Sequence, residues 1–208
     1  MKKILIYLSS DGWKNTITLI IKSIIKRLYY QTTTNFYIWE KKNEMFENHQ
    51  VINNLSIKEI RLDEIESLDF PRLKLLTYKK WMNDGGHVYV SFLNEKPVGF
   101  AWTHLNSYHI HGVGTFKLYK NEYWSGPTFV LNSLRGLGIN KAQLAFQFNH
   151  LPNNSIVFTS INENNAPSIR SYAKYGYKLI GFHKINILFG KRKHQIEGDI
   201  IKERLLLS

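Results

Sequence analysis

The second half of the chain alternates short apolar segments with segments of helical periodicity. Residues 128–131 and 156–161 read as buried strands, and residues 139–148 and 166–175 read as helices. A pair of strands with a turn between them is predicted over residues 177–189. Strands that alternate with helices become parallel neighbours, because each helix crosses back over the sheet. The order therefore predicts an α/β domain.

The first half of the chain predicts further strands, which make the sheet mixed. Two of them lie on either side of Asn94-Glu95-Lys96, an arrangement typical of a hairpin. Helices are predicted over residues 63–70, with acidic residues near the start, and from Pro71 to about residue 82. The predicted strands are residues 36–39, 55–61, 87–93, 97–104, 108–111 and 114–119.

The N-terminal segment has a pattern of its own. Apolar side chains of residues 13–30 recur at helical spacing, while Lys14, Lys22, Lys26 and Arg27 lie mostly on the other side. Such a basic amphipathic helix packs on its own domain, associates with a second copy, or lies on an anionic membrane surface. We therefore expect a helical extension over residues 1–32 and a single domain over residues 33–208, as a monomer or a homodimer.

The chain is strongly basic and contains no cysteine. Its 28 lysine and arginine residues against 16 acidic residues give a net charge of +12, which favours anionic partners. A composition rich in lysine, isoleucine and asparagine explains the same charge, so a nucleic-acid partner is not expected. The lack of cysteine excludes thiol catalysis and cysteine-based metal sites. With no apolar stretch of about 18 residues and no signal-peptide cleavage site, we expect a cytoplasmic protein.

A short basic loop with two glycines joins the strand at residues 128–131 to the following helix. Its sequence, RGLGI, covers residues 135–139. The first N–H groups of a helix have no internal partner and carry partial positive charge, and glycines let the backbone approach an anion closely. The loop is therefore either a phosphate cradle or a tight strand-to-helix turn. Its spacing matches neither the P-loop nor the dinucleotide fingerprint.

This loop resembles the acyl-CoA loop of the GNAT superfamily of N-acetyltransferases, whose pattern is Gln/Arg-x-x-Gly-x-Gly/Ala. Residues 165–177, NAPSIRSYAKYGY, resemble that family's Asn-x-x-Ala/Ser-x-x-x-Tyr-x-x-x-Gly-Phe/Tyr helix, and residues 96–100, KPVGF, resemble its central hairpin. The resemblance covers roughly residues 55–190. The sequence departs from the pattern at Asn140, where Gly or Ala is usual, and at Asn132, where proline is frequent.

The resemblance implies a fold and a cofactor site. The fold is a mixed central sheet, largely antiparallel, with a splayed parallel pair in its middle and helices on its faces. Acetyl-CoA, or another acyl-CoA, is implied as co-substrate, and no metal. Backbone groups of Val130 and Leu131 would contact the pantetheine and the thioester carbonyl, and Asn165 would bind the amide arm. The pyrophosphate would bind the loop residues, which are Arg135, Gly136, Leu137, Gly138, Ile139 and Asn140.

The resemblance also implies direct transfer of an acetyl group from the thioester to an amine, without a covalent enzyme intermediate. Most of the catalysis is then positioning. Tyr172 would protonate the departing thiolate, because a phenol and a thiol have comparable basicity. The base that accepts the proton of the amine stays open between Glu122, Glu163, His109 and His111. The two histidines share a strand face, but no third residue at a metal-ligand spacing accompanies them.

The acceptor is the least constrained part of the prediction. We expect the primary amine of a small molecule or an amino sugar, and the net charge favours an anionic one. The alternatives are a protein or peptide N-acetyltransferase, and a GNAT-like binding module without activity. The departure at Asn140 supports the last, because a longer side chain would crowd the pyrophosphate. Aromatic residues that either line an acceptor cleft or belong to the core are Trp81, Trp102, Tyr123 and Trp124.

Overall fold

A computed structural model of the 208-residue chain describes residues 29–41, 52–74 and 77–208. Within these ranges the backbone forms eleven strands and six α-helices. The strands are β1 (Tyr29–Glu40), β2 (Leu55–Ile60), β3 (His87–Leu93), β4 (Lys96–His104), β5 (Ser107–Ile110), β6 (Gly114–Lys117), β7 (Glu122–Val130), β8 (Ile156–Asn162), β9 (Lys178–Leu188), β10 (Lys191–Glu197) and β11 (Leu205–Leu207). The helices are α1 (Leu62–Ser67), α2 (Pro71–Lys74), α3 (Tyr78–Asn83), α4 (Ile139–His150), α5 (Ala166–Lys174) and α6 (Asp199–Arg204), and a short 3-10 helix (Asn132–Leu134) precedes α4.

Eight strands form one mixed sheet. Their order is β10-β9-β1-β8-β7-β4-β3-β2, and a second sheet has the order β11-β6-β5. In the described part of the chain the β7–β8 pair is parallel, and the other strand pairs are antiparallel. The helix α4 connects β7 to β8, as a parallel pair requires. This confirms the predicted mixed sheet, largely antiparallel with a parallel pair in the middle.

The parallel pair is short because β7 turns away from β8. Pairing joins Glu122, Tyr123 and Trp124 to residues 156–158 of β8 and then stops. Beyond it β7 stays paired with β4 as far as Val130, after a register shift opposite residues 101–103. The predicted strand at residues 128–131 is thus the last part of a longer strand. The first part of β7 pairs with β8, and its second part is splayed away from β8.

Apolar side chains cover both faces of the large sheet. On one face, Ile65 of α1 and Leu73 of α2 pack in one cluster with Trp102 of β4. Further along this face, the small sheet and α6 cover the core, and Phe116 of β6 stacks on Phe36 of β1 with ring centroids 5.8 Å apart. The helices α4 and α5 lie on the opposite face. A sheet covered on both faces buries its central strands completely.

The strand pair predicted over residues 177–189 is wrong. A single strand, β9, runs from Lys178 to Leu188, and the turn lies at Phe189 and Gly190. The strand pairs with β1 on one side and β10 on the other, so an internal turn would break both ladders. Gly181 does not mark a turn. It lets the backbone of β10 lie close to β9, because a Cβ atom at this position would lie 2.0 Å from the carbonyl oxygen of Glu197.

Two predicted helices also differ from the structure. Residues 71–82 form two short helices, α2 and α3, rather than one, and residues 75–76 lie outside the described part. Residues 13–28 of the predicted amphipathic helix lie outside it as well, and its last two residues, Tyr29 and Tyr30, belong to β1. The amphipathic helix and the division at residue 32 stay predictions. No helix in the described ranges is long and apolar enough to cross a membrane.

The C-terminal elements α6, β10 and β11 were not predicted from the sequence. Strand β11 pairs with β6 and completes the small sheet. Arg204, the last residue of α6, forms a buried ion pair with Glu122 at the start of β7. Glu122 also accepts a hydrogen bond from the N–H of Tyr119, at 2.8 Å. The C-terminal segment therefore holds the small sheet against the paired end of β7.

Candidate active site

A cleft of about 310 Å³ opens where β7 and β8 separate. Tyr108 and His111, in and just after β5, line it on the side of the small sheet. Asn165 and Tyr172, at the start and in the middle of α5, line it on the other side. The two strands add backbone and hydroxyl groups between them, notably Ser125, Gly126, Thr128, Thr159 and Ser160. The cleft therefore lies in the gap between the strands and receives groups from both faces of the sheet.

The loop after β7 places two glycines in the left-handed conformation directly before a helix. Gly136 and Gly138 both have a φ of +85°, a left-handed conformation that glycine adopts without strain. A Cβ atom at Gly136 would have no atom within 4 Å, so its backbone conformation, not packing, favours glycine. Gly138 is the N-cap of the twelve-residue helix α4, whose first N–H groups have no intrahelical partner. The predicted residues 135–140 are thus brought together at a helix N-terminus.

The charge around this loop favours an anion. No acidic residue occurs between Tyr123 and Asn162, whereas Arg135 precedes the two glycines and Lys141 lies in the first turn of α4. The positive end of the helix dipole adds to these charges. Arg135 is exposed, and its Nε donates to the carbonyl oxygen of Val130 at 3.4 Å. Asn140, the second residue of α4, is partly exposed.

The two predicted pantetheine-contact residues have different backbone environments. The N–H of Leu131 donates to the carbonyl oxygen of Val98 in β4, at 2.9 Å. Neighbouring residues of a strand direct their backbone groups to opposite sides, so the N–H of Val130 points away from β4. That direction is the side on which β7 has lost β8 as a neighbour. The N–H of Val130 therefore faces the open side, where an extended ligand could pair with it, whereas the N–H of Leu131 is already bonded within the sheet.

Tyr172 lines the cleft and is almost fully buried. Its side chain is 5% exposed, and its ring packs edge-on against Tyr177 with ring centroids 5.0 Å apart. Burial raises the pKa of Tyr172 above its ordinary value, and the hydroxyl groups of Thr128, Ser125 and Thr159 oppose part of that rise. The phenol is thus protonated at neutral pH and faces the residues at which β7 and β8 separate.

Asn165 has a structural role that its motif does not reveal. It is the N-cap of α5, and its Oδ1 accepts a hydrogen bond from the N–H of Ser168 at 3.3 Å. The side chain is exposed and also lines the cleft. An asparagine at an N-cap satisfies one of the first N–H groups of its helix. The amide nitrogen of the same side chain is the group that suits a ligand carbonyl.

The four candidate bases lie in different surroundings. Glu122 is 7% exposed and ion-paired with Arg204, so it is a structural carboxylate. His109 bonds through Nδ1 to the hydroxyl of Thr115 at 3.1 Å, and Glu163 is exposed in the turn after β8. His111 alone among the four lines the cleft. Among the described residues, no group of three or more His, Cys, Asp and Glu side chains is placed to hold a metal.

A buried polar network lies behind the cleft, and the sequence analysis missed it. Gln147 of α4 is fully buried. Its Nε2 donates to the carbonyl oxygen of Trp102 at 2.8 Å, and its Oε1 accepts from the hydroxyl of Ser125 at 2.9 Å. The hydroxyl of Thr159 donates to the carbonyl oxygen of Ser125 at 2.8 Å. A polar residue on the apolar face of α4, one turn after Gln143, was the available indication in the sequence.

His104 is a second buried group that the sequence analysis missed. Its Nε2 lies 2.8 Å from the carbonyl oxygen of Gly126 and donates to it, because a carbonyl oxygen only accepts. Trp81, Trp102 and Tyr108 surround the ring, with centroids 4.9, 5.8 and 4.6 Å away. Burial lowers the pKa of His104 to about 4, although the bond to Gly126 opposes this shift. The histidine is therefore neutral at pH 7.

The aromatic residues considered for an acceptor cleft divide between the core and the cleft wall. Trp102 and Trp124 are fully buried, but Trp124 also borders the cleft. It stacks on Tyr108, with ring centroids 5.0 Å apart and planes 16° apart. Trp81 is partly exposed and belongs to the ring cluster around His104. Tyr123 packs against the cluster between α4, α5 and the sheet.

Comparison with known structures supports this fold. A GCN5-related N-acetyltransferase from Sphaerobacter thermophilus aligns with a TM-score of 0.55 and 13% identity, over 87% of this chain and 57% of that one. A GCN5-related N-acetyltransferase from Kribbella flavida aligns with a TM-score of 0.51 and 9% identity, over 89% and 66%. A functionally unknown conserved protein from Staphylococcus epidermidis ATCC 12228 aligns with a TM-score of 0.51 and 14% identity, over 80% of this chain and 64% of that one. The chain thus spans about three-fifths of the length of these proteins, and the likeness is one of fold.

The sequence itself was compared with protein families and with curated proteins. A search of the curated protein sequences finds no match. The family model described as acetyltransferase (GNAT) family matches residues 54–177, which include both motifs and the central hairpin. Since this match covers more than half of the chain, the protein belongs to the GNAT acetyltransferase family.

Proposed function

We propose that this protein transfers an acetyl group from acetyl-CoA to the primary amine of a small molecule or an amino sugar, by direct attack of the amine. One observation carries the proposal: the cleft lies in the gap between β7 and β8, and the buried Tyr172 is part of its lining. The loop with Gly136 and Gly138 continues from the same strand. An activated acyl donor, its anionic part and a proton donor would thereby be held by adjacent segments of the chain.

The residues around the cleft suit an acyl-CoA. The N–H groups from Gly136 to Asn140, together with Arg135, would hold the pyrophosphate. The backbone of Val130 would hold the pantetheine as an added strand, and the amide of Asn165 would bind a carbonyl of its arm. Bound in this way, acetyl-CoA supplies an acetyl group activated as a thioester. The chain itself holds the reactants in place and supplies protons.

Tyr172 is proposed as the proton donor to the leaving group. Its raised pKa keeps the phenol protonated at pH 7, which a general acid requires. The hydroxyl groups of Ser125, Thr128 and Thr159 lie close to it and oppose part of the rise in its pKa. Of the candidate bases, we propose His111, because it lines the cleft on the side opposite to α5.

The cleft wall on the side of the small sheet favours an amino sugar among small amines. Tyr108 is partly exposed and stacks on the buried Trp124, so its ring offers an apolar surface to the C–H face of a sugar ring. Ser160 and Asn162 of β8 add a hydroxyl and an amide to the same cleft. These groups suit the hydroxyls of a sugar, which both donate and accept hydrogen bonds.

Calorimetry tests the cofactor site. Gly136→Val should weaken acetyl-CoA binding by about tenfold or more, because a β-branched side chain opposes a φ of +85°. Gly190→Val is the matched control. Its glycine has a φ of +79° and, like Gly136, no atom within 4 Å of a Cβ. Both variants should lose similar stability, and only the first should lose affinity. Equal affinity in both variants would refute the loop as the pyrophosphate site.

An acceptor screen tests the reaction. Acetyl-CoA is mixed with amino sugars, polyamines, free amino acids or peptides, and released CoA is titrated with a thiol reagent. Because the chain has no cysteine, it adds no thiol of its own to this assay. We expect the highest kcat/KM with an amino sugar. A higher value with peptides would favour a protein acetyltransferase, and acetyl-CoA binding without turnover of any amine would favour a binding module.

A further inference from the structure

We infer that Thr159 and Gln147 are positioning residues of acyl transfer, which hold β7 at the point where it leaves β8. The inference rests on the proposed acetyl transfer and names residues outside both family motifs. Thr159 belongs to β8 and Gln147 to α4, so each reaches β7 from a different element. Neither acts on a reacting atom in this inference, because each acts through the backbone or the hydroxyl of Ser125.

The separation of the two strands begins at one residue pair. Trp124 and Phe158 are the last paired residues of the parallel ladder. The next residues, Ser125 and Thr159, are joined by a side chain, since the Thr159 hydroxyl donates to the Ser125 carbonyl oxygen at 2.8 Å. A side-chain hydrogen bond has thus replaced the ladder where the ladder ends. It satisfies a buried carbonyl group that would otherwise have lost its partner.

Gln147 holds the same residue from the helix side. Its Oε1 accepts from Ser125 Oγ, while its Nε2 donates to Trp102 O and to Thr103 Oγ1 of β4. The amide group therefore connects α4, β4 and β7. Ser125, Thr159 and Gln147 are all less than 5% exposed, so water does not compete for these bonds. A buried network whose members are all paired has essentially one geometry.

The network is placed where small displacements matter to the reaction. Ser125 and Thr159 line the cleft and interact with the hydroxyl of Tyr172. Five residues further along the same strand, Val130 directs its backbone to the open side. Loss of the Ser125 anchor would displace both the proton donor's surroundings and the strand that holds the acyl donor. In enzymes, a displacement of about 1 Å costs up to about 100-fold in rate.

Thr159→Val tests the inference, with Thr159→Ser as the conservative variant and Thr33→Val as the control. Valine keeps the shape of threonine and removes the hydroxyl, whereas serine keeps the hydroxyl. Thr33 is a buried threonine of β1 that does not line the cleft. We expect Thr159→Val to lower kcat by about 10- to 100-fold, with KM for acetyl-CoA changed less than about threefold. Thr159→Ser and Thr33→Val should keep kcat within about twofold of the parent protein.

Three results would overturn the inference. A parent-like kcat in Thr159→Val would remove the positioning role, and so would a rise in KM at unchanged kcat, which indicates a direct contact with the acyl donor. An equal loss in Thr159→Ser and Thr159→Val would show that the hydroxyl is not the group that matters. Gln147→Met, which removes the amide at similar volume, should repeat the kcat loss of Thr159→Val. A parent-like kcat there would remove Gln147 from the assignment.

A measurement without turnover separates this inference from the proposed function. If the parent protein acetylates no amine, the proposed function fails, but amide hydrogen exchange still reports on the strand. Thr159→Val should then raise the exchange rates of Gly126 and Thr128 by about tenfold relative to Thr159→Ser, with the amides of β9 unaffected. Equal exchange rates in the two variants would overturn the anchoring role.

Discussion

The two halves of β7 are held in different ways. From Glu122 to Trp124 the strand pairs with β8, and Trp124 also pairs with His104 of β4. The Glu122–Arg204 ion pair closes the start of this half. From Ser125 to Val130 it has one backbone neighbour, β4, and four side chains also donate to its carbonyl oxygens. The donors are Thr159, His104, Gln143 and Arg135, which bond the carbonyl oxygens of residues 125, 126, 129 and 130 respectively.

This difference teaches how a sheet can carry a binding site in its middle. A strand whose backbone groups are all paired has nothing to offer a ligand. A strand that has lost one neighbour would aggregate or collapse unless other groups hold it in place. Here, hydroxyl, imidazole, amide and guanidinium groups hold the splayed half, and the N–H of Val130 still faces the open side. The paired half gives stability, and the splayed half gives the cleft.

The largest expected effect concerns the paired half. Arg204→Met would leave Glu122 buried without its partner, and breaking a buried ion pair on one side costs about 3–5 kcal/mol of stability. Urea denaturation at pH 7 measures this loss of stability. The double variant Glu122→Gln with Arg204→Met should regain a large part of it, because no unpaired charge remains. A single variant as stable as the parent protein would show that the pair does not hold the paired half.

The next effect concerns the proposed chemistry beside the splayed half of β7. Tyr172→Phe should lower kcat by about 100-fold, the lower end for loss of a general acid, and should leave acetyl-CoA affinity unchanged. Tyr177→Phe is the matched control, since its ring lies against Tyr172 and is equally buried. Steady-state kinetics and calorimetry on both variants measure the effect. Equal kcat in the two variants would remove Tyr172 from the mechanism.

The pH dependence of stability distinguishes the contribution of His104 from those of the other groups that hold β7. Its folded-state pKa of about 4 lies below the ordinary value of 6.5, so the unfolded chain binds the proton more readily. The contribution to stability is complete above about pH 6.5 and is lost as the pH falls towards 4, by about 2 kcal/mol at pH 5.

The control for this effect is His104→Gln, which keeps a donor near Nε2 and does not titrate. His183 of β9 is also buried with a lowered pKa and contributes with the same sign in both proteins. The difference in stability between parent and variant, followed by urea denaturation from pH 7 to pH 5, therefore isolates His104. A difference that does not change with pH would contradict the buried neutral histidine.

The smallest expected effect distinguishes two roles of Asn165, as the N-cap of α5 and as a ligand for acetyl-CoA. Asn165→Ala should cost about 1 kcal/mol of stability, because the N-cap of α5 is lost. Asn165→Asp keeps an acceptor oxygen at the cap and removes the amide nitrogen, so it should retain stability and lose acetyl-CoA affinity. Thermal denaturation and calorimetry distinguish the two roles. An unchanged affinity in Asn165→Asp would leave Asn165 as a cap alone.

Much of the architecture was accessible from sequence patterns. The hairpin of β3 and β4, the helices α4 and α5, and the strand β8 all lie within a few residues of their predicted positions. Each has a local indication: a turn sequence, an apolar periodicity, or glycine after a helix. The errors occur where tertiary contacts override such indications. Gly181 stands inside β9 because that strand pairs with β1 and with β10, and no local pattern in the sequence indicates that a strand has two neighbours.

The candidate site divides in the same way. The sequence by itself determined the loop at residues 135–140, the motif with Asn165 and Tyr172, and the membership of the family, because these depend on residue type and spacing. Tertiary structure alone decided that Glu122 is an ion-paired residue and that His111, among the four candidate bases, lines the cleft. It also brought Gln147, Thr159 and His104 to the splayed strand. These contacts join residues far apart in the chain, and hydrogen bonds between distant elements leave no periodicity in a sequence.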